Sequence, residues 1–134
     1  MRIVVCVDDD LGMMFNHRRQ SKDQILLADM MSKVEKLWIH SFSAKLLEGY
    51  ENKITVDDEF LEKAGIQETC FVENKELVPY MSKIEELVIY KWNRKYPSDF
   101  KFDIDLNEWE LCDQNEFPGK SHEKITCEMY VRRK

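Results

Sequence analysis

The sequence is poor in the residues that mark flexible joints. It has four glycines and three prolines in 134 residues, and no stretch rich in Pro, Gly or Ser. Nothing reads as a linker, repeat or low-complexity tract, so one domain over 1–134 is the simplest expectation. Long apolar runs are also missing, and none approaches the ~20 residues that cross a bilayer. The opening "MRIVVCVDDD" holds only a short apolar run, ended by acids and followed by no small-residue cleavage site. It reads as a first strand rather than a signal peptide. Four cysteines, Cys6, Cys70, Cys112 and Cys127, form no CxxC or CxxH pair, which argues against a zinc site. Cys6 and Cys70 lie in apolar runs and predict reduced, buried thiols in a cytoplasmic protein. Positive charge is the minority sign: 20 Lys and Arg stand against 26 Asp and Glu, for a net charge of −6. Such a chain lacks the broad positive field of a non-specific nucleic-acid binder.

What is present suits a core: 43% of residues are hydrophobic and 11% aromatic, with 34% charged to keep the surface soluble. "RIVVCV" (2–7) is short, continuous and β-branched, as in a strand buried on both faces. "SKDQILLADMMSKV" (21–34) predicts a helix, with Ser21 as cap and Gln24 at the capping-box position. Strands are expected at 36–42, 52–56, 68–74 and 85–93. Helices are expected at 43–49, closed by Gly49, and at 57–65, from Asp57 to Gly65, with a helical turn around Pro79. "DFKFDIDL" (99–106) alternates as a half-buried extended segment. Segments 108–117 and 124–134 form an antiparallel pair around the turn "PGKSH". Strand and helix in alternation, then strands alone, specify an α/β protein: a largely parallel sheet, an antiparallel C-terminal hairpin and helices on both faces.

The C-terminal half, "CFVEN", "ELVPYMSKI", "EELVIYKWN", "YPSDFKFDIDLNEWEL" and "SHEKITCEMYVRRK", resembles dihydrofolate reductase in the order of its parts. "RIVVCVDDDLGMMFN" and "SKDQILLADM" are similar to that family's first strand, glycine-containing loop and first helix. The resemblance implies a dihydrofolate-reductase-like fold and, at the start of the first helix, a catalytic carboxylate, here Asp23. It also implies a Gly-Gly pair and a Gly-Arg-x-Thr motif at the cofactor phosphates. This chain has Glu73-Asn74 and His40-Ser41-Phe42-Ser43 there. A carboxylate beside a pyrophosphate is electrostatically wrong, and side chains fill the space glycine would leave. NADPH is therefore disfavoured and no cofactor is expected. The opening string also resembles small bacterial proteins described as ribonuclease Z, but the zinc motif HxHxDH that this description implies is absent, and the only histidines are His17, His40 and His122.

Each candidate has a plainer reading beside it. Asp8, Asp9 and Asp10 read as a solvated loop rather than a cation site, because sequential acids do not converge on one ion. Asp23 and His17 are the candidate acid/base pair, with Arg18 and Arg19 as anion binders; the plainer reading is a polar lead-in to the helix. His40, Ser41 and Asn74 are candidate pocket residues at strand ends. Trp92 reads as core, although Trp92, Asn93, Arg94 and Tyr96 together offer a ring and a cation to a ligand. His122 reads as an exposed turn residue, and Cys70 as an inert buried thiol. The expected function is binding of a small anionic ligand or a protein partner, without NADPH-dependent reduction. The alternative is a diverged enzyme, a reductase or a hydrolase of nucleotide or RNA, built on the Asp23, His17, Arg18 and Arg19 cluster.

Overall fold

The computed structural model describes residues 1–133. Its strands are β1 (Arg2–Val7), β2 (Gly12–Phe15), β3 (Arg18–Arg19), β4 (Leu37–Ile39), β5 (Ile54–Val56), β6 (Thr69–Phe71), β7 (Glu86–Lys91), β8 (Phe100–Lys101), β9 (Trp109–Phe117) and β10 (Ile125–Arg132). The described residues also form two α-helices, α1 (Gln24–Ser32) and α2 (Phe60–Lys63), and several 3-10 turns. The main sheet has seven strands in the order β5-β4-β6-β1-β7-β10-β9. From β5 to β7 neighbouring strands are parallel, and β10 and β9 run antiparallel to their neighbours. This is the largely parallel α/β sheet with an antiparallel C-terminal hairpin that the sequence predicts.

The sheet divides the core into two layers because β1 alternates across it. Ile3, Val5 and Val7 point to one face, where Phe60 and Leu61 of α2 pack with Leu87 and Ile89. Val4 points to the other, where Leu26, Met30 and Met31 of α1 meet Leu37, Ile39, Phe71 and Tyr90. A fully buried side chain such as Leu26 contributes about 2 kcal/mol relative to an exposed one. That burial, more than local propensity, holds the short α1 in place.

Local chemistry moves several predicted boundaries. Asp23, not Ser21, caps α1: its Oδ1 accepts from the backbone N–H groups of Ile25 at 2.9 Å and Leu26 at 3.3 Å. The segment 43–49 does not form the predicted helix. It is a 3-10 turn (Ser41–Ser43) followed by further turns. The stretch after β1, read as a loop, instead forms β2 and β3, which join β8 in a second sheet of order β3-β2-β8. Its hairpin turns at Asn16 and His17, whose φ angles of 50° and 61° match the type I′ turn that twists with its strands. Asn-His is a weaker signal for this turn than Asn-Gly, and strands this short carry almost no periodicity.

Candidate functional site

The parallel strands end at one edge of the sheet, where open α/β folds place their ligands. Asp8 follows β1, His40 follows β4, Glu73 lies just past β6 and Trp92 follows β7. Asp8 is not solvated as expected. It is 2% exposed, and its carboxylate accepts from the backbone of Asp10, Gly12 and Tyr96 and from Gln20 Nε2. Burial opposes its ionisation, but these donors outweigh burial and lower its pKa. Asp8 thus ties the loop after β1 to the segment after β7. Among the described residues, no group of three metal-ligating side chains is present.

Glu73 carries the second set of contacts. Arg19 donates to it through Nε and Nη2, both at 2.8 Å, in the bidentate geometry that gives the strongest charge-assisted pairs. Ser43 Oγ donates to Glu73 Oε1 at 2.7 Å. The Arg19 guanidinium also lies over the Phe42 ring, 5.0 Å from its centroid. Segments after β4 and β6 are clamped here to β3 of the small sheet. The Arg19 pKa is raised, first by its hydrogen bonds to Glu73.

The third set is centred on Asp23. Beyond its helix-capping bonds, Asp23 accepts from the backbone N–H of Lys120 and Ser121, from Ser121 Oγ and from His122 Nδ1 at 3.0 Å. Burial works against the charge, but His122 and the surrounding backbone N–H groups hold the carboxyl well below the usual carboxylate range. Since a carboxylate only accepts, the proton on His122 Nδ1 points at Asp23. His122 Nε2 then faces the hydroxyls of Ser21 and Tyr96, each at 3.0 Å. These two hydroxyls are 3.3 Å apart, with Tyr96 donating to Ser21. The imidazole is stacked on Trp92, with ring centroids 4.6 Å apart. His122 is 4% exposed, not the exposed turn residue expected. Arg94 fixes the same turn by donating to the Ser121 carbonyl, as Asn93 does at Lys124. Gly119 permits the approach: a Cβ there would lie 2.6 Å from Asp23 Oδ2.

Between these sets lies a cavity of about 20 Å³, lined among others by Cys6, Gln20, Ser21, Glu73 and Trp92. It has room for roughly one water molecule. Gln20, one of its lining residues, has its Oε1 buried without a protein partner. Burial, then the nearby Glu73 charge, pushes the Cys6 thiol up, so it is not a ready nucleophile. Cys70 is likewise pushed up, to about 12, by burial. Beside the cavity runs an open groove of about 470 Å³ over Leu27 and Leu46, bordered by Lys22, Lys45 and Lys120. Lys120 donates to Gln24, while Lys22 and Lys45 form no ion pair among the described residues.

The structure brings together only part of the expected cluster. Asp23 is at the centre, and Arg19 lies on the cavity wall but spends both donors on Glu73. His17 and Arg18 are exposed at the hairpin, with no hydrogen bond to Asp23 among the described residues. His40 Nδ1 accepts from the Phe42 N–H, and the Ser41 N–H donates to Asp58; both cap the turn after β4. Asn74 Oδ1 is buried with no partner. Sequence reasoning missed Ser21, Ser43 and His122 as site residues, and named Tyr96 only as part of a ring-and-cation group with Trp92, Asn93 and Arg94. The one hint was turn chemistry at "PGKSH", which gives a turn but not what it folds against.

No family model and no curated protein matches the chain. Among solved structures, it is similar to dihydrofolate reductase from Enterococcus faecalis complexed with NADP(H) and RAB-propyl. The TM-score is 0.71 at 11% identity, over 99% of this chain and 96% of that one. The fold is therefore dihydrofolate-reductase-like.

Proposed function

We propose that this chain is a small-ligand-binding protein on a dihydrofolate-reductase-like frame that does not carry out NADPH-dependent reduction. The observation that carries this reading is the Glu73 clamp. The resemblance puts a dinucleotide phosphate at the end of β6, and there the chain places a carboxylate held by Arg19 and Ser43. Phosphate and carboxylate repel, and the Arg19 beside Glu73 is already neutralised by it. These residues do not fit NADPH. Asp23 does not fit the reductase carboxylate either, since its lone pairs are engaged by donors and its pKa is depressed. A carboxyl that stays ionised does not hand on a proton.

What remains is the small cavity over Trp92 and the groove beside it. Lys22, Lys45 and Lys120 suit a ligand with a carboxylate or phosphate group, while Leu27 and Leu46 supply an apolar floor. Gln20 Oε1 offers an acceptor to a donor on the ligand or to a water. The test is a titration with NADPH, followed by energy transfer from tryptophan, together with an assay of NADPH oxidation in the presence of dihydrofolate. The reading predicts no saturation at micromolar NADPH and no turnover. Micromolar binding or dihydrofolate-dependent oxidation contradicts it.

A further inference from the structure

Asp23, His122 and Ser21 stand in line, with His122 Nδ1 3.0 Å from Asp23 Oδ2 and His122 Nε2 3.0 Å from Ser21 Oγ. We infer that Ser21 is a nucleophile and that this array hydrolyses a small carboxylic ester bearing an anionic group. The inference rests on the cleft as the ligand site and adds a reaction to it.

The geometry meets the requirements for an activated serine: a nucleophile in hydrogen-bond reach of a base, which is itself oriented by a third group. Asp23 is buried, ionised and fixed by backbone donors, so it sets the tautomer of His122 and offsets the charge the ring gains. Trp92 covers the ring face and prevents it from turning. Nε2 has one lone pair and faces two hydroxyls. Ser21 Oγ lies 3.0 Å from Nε2, within reach to pass its proton to that nitrogen, and Tyr96 OH is the second hydroxyl at the same distance. Ser21 is half-buried and lines the cavity that Cys6, Gln20 and Trp92 also line, while its neighbours Lys22 and Asp23 line both that cavity and the lysine groove. A purely structural serine cap at this helix start would need none of these contacts, because Asp23 already caps α1.

In the reaction, Ser21 Oγ bonds to the ester carbonyl carbon as its proton passes to Nε2. The bond from that carbon to the alcohol oxygen then breaks, and the alcohol leaves with the proton from Nε2. Water attacks the acyl-serine, giving a proton to Nε2. The carbon–Oγ bond breaks, and that proton returns to Ser21 as the carboxylic acid is released. Water is the only co-reactant. Lys22, Lys45 and Lys120 select the anionic substrate.

The experiment treats the full chain with an alkyl fluorophosphonate, maps any adduct by peptide mass spectrometry, and measures hydrolysis of 4-nitrophenyl acetate and of anionic 4-acetoxybenzoate. The expected result is a single adduct on Ser21 in the unaltered protein. Ser21→Ala should abolish the adduct and slow ester turnover on the order of 100-fold or more, and 4-acetoxybenzoate should be the better substrate. Absence of an adduct on Ser21, or turnover unchanged in a folded Ser21→Ala, overturns the proposal. The adduct needs no anion, so labelling without carboxylate binding would sink the ligand reading alone. Carboxylate binding without labelling would sink this one alone.

Discussion

Asp23 and His122 are 99 positions apart in the chain, and their side chains meet at 3.0 Å with both almost wholly buried. The contact joins the start of α1 to the turn between β9 and β10, so the first helix and the last hairpin lock each other in place.

Asp23→Asn replaces an acceptor-only group by one with an N–H₂ that must face backbone donors or the His122 N–H. Leaving those donors unpaired costs about 2–4 kcal/mol. Urea unfolding should show a lower midpoint with unchanged slope. Because Trp92 is stacked on His122, its fluorescence should change in the native baseline as well.

Gly119→Ala should weaken the same contact from the other side. The added methyl would lie 2.6 Å from Asp23 Oδ2 and 2.8 Å from Ile125 Cδ1, and the bonds that fix Asp23 stop it from giving way. A cost of roughly 1–3 kcal/mol is expected. Thermal unfolding would check it, and an unchanged Tm would show that the turn is looser than described.

Acid should unfold the protein in a definite window. Asp23 and Asp8 both have pKa values lowered by folding. In the unfolded chain they bind protons near pH 3.9, where the folded protein still does not. Their stabilisation is therefore complete above about pH 5 and is lost as pH falls through the unfolded value toward the lower folded ones. Stability measured by urea at stepped pH should fall steeply below about pH 5, and Asp23→Asn should flatten that slope.

Arg19→Ala leaves Glu73 in its clamp with only Ser43 as donor. With the Arg19 side chain 24% and Glu73 10% exposed, loss of the pair should cost about 2–4 kcal/mol after allowance for screening. Glu73→Gln should cost less, since an amide oxygen still accepts from Ser43. A double-mutant cycle should return a coupling of at least about 1 kcal/mol.

The parallel sheet was legible because β1 and β7 are continuous apolar runs, and the closing hairpin because "PGKSH" separates two alternating segments. Asp23 was singled out through the family resemblance, whereas the apolar helical pattern alone put the cap two positions early, at Ser21. The small sheet was not legible, because β2 and β3 turn on Asn16-His17 and hold too few residues to show a period. Nor was His122. Its burial depends on Asp23 and Trp92, which reach it only through the sheet order β1-β7-β10, and no local pattern encodes a partner 99 positions away. The pairing of Arg18 and Arg19 misled for a related reason. In the short strand β3 adjacent side chains point to opposite faces, so Arg19 reaches Glu73 while Arg18 stays in solvent.

The most direct test of the cleft as the ligand site is a ¹⁵N NMR titration with a small dicarboxylate such as succinate. The account predicts saturable shifts concentrated at the backbone amides of Gln20, Ser21, Lys22, Leu46 and Lys120 and at the Trp92 indole. Saturable shifts centred elsewhere on the molecule, or none at millimolar succinate, would contradict it.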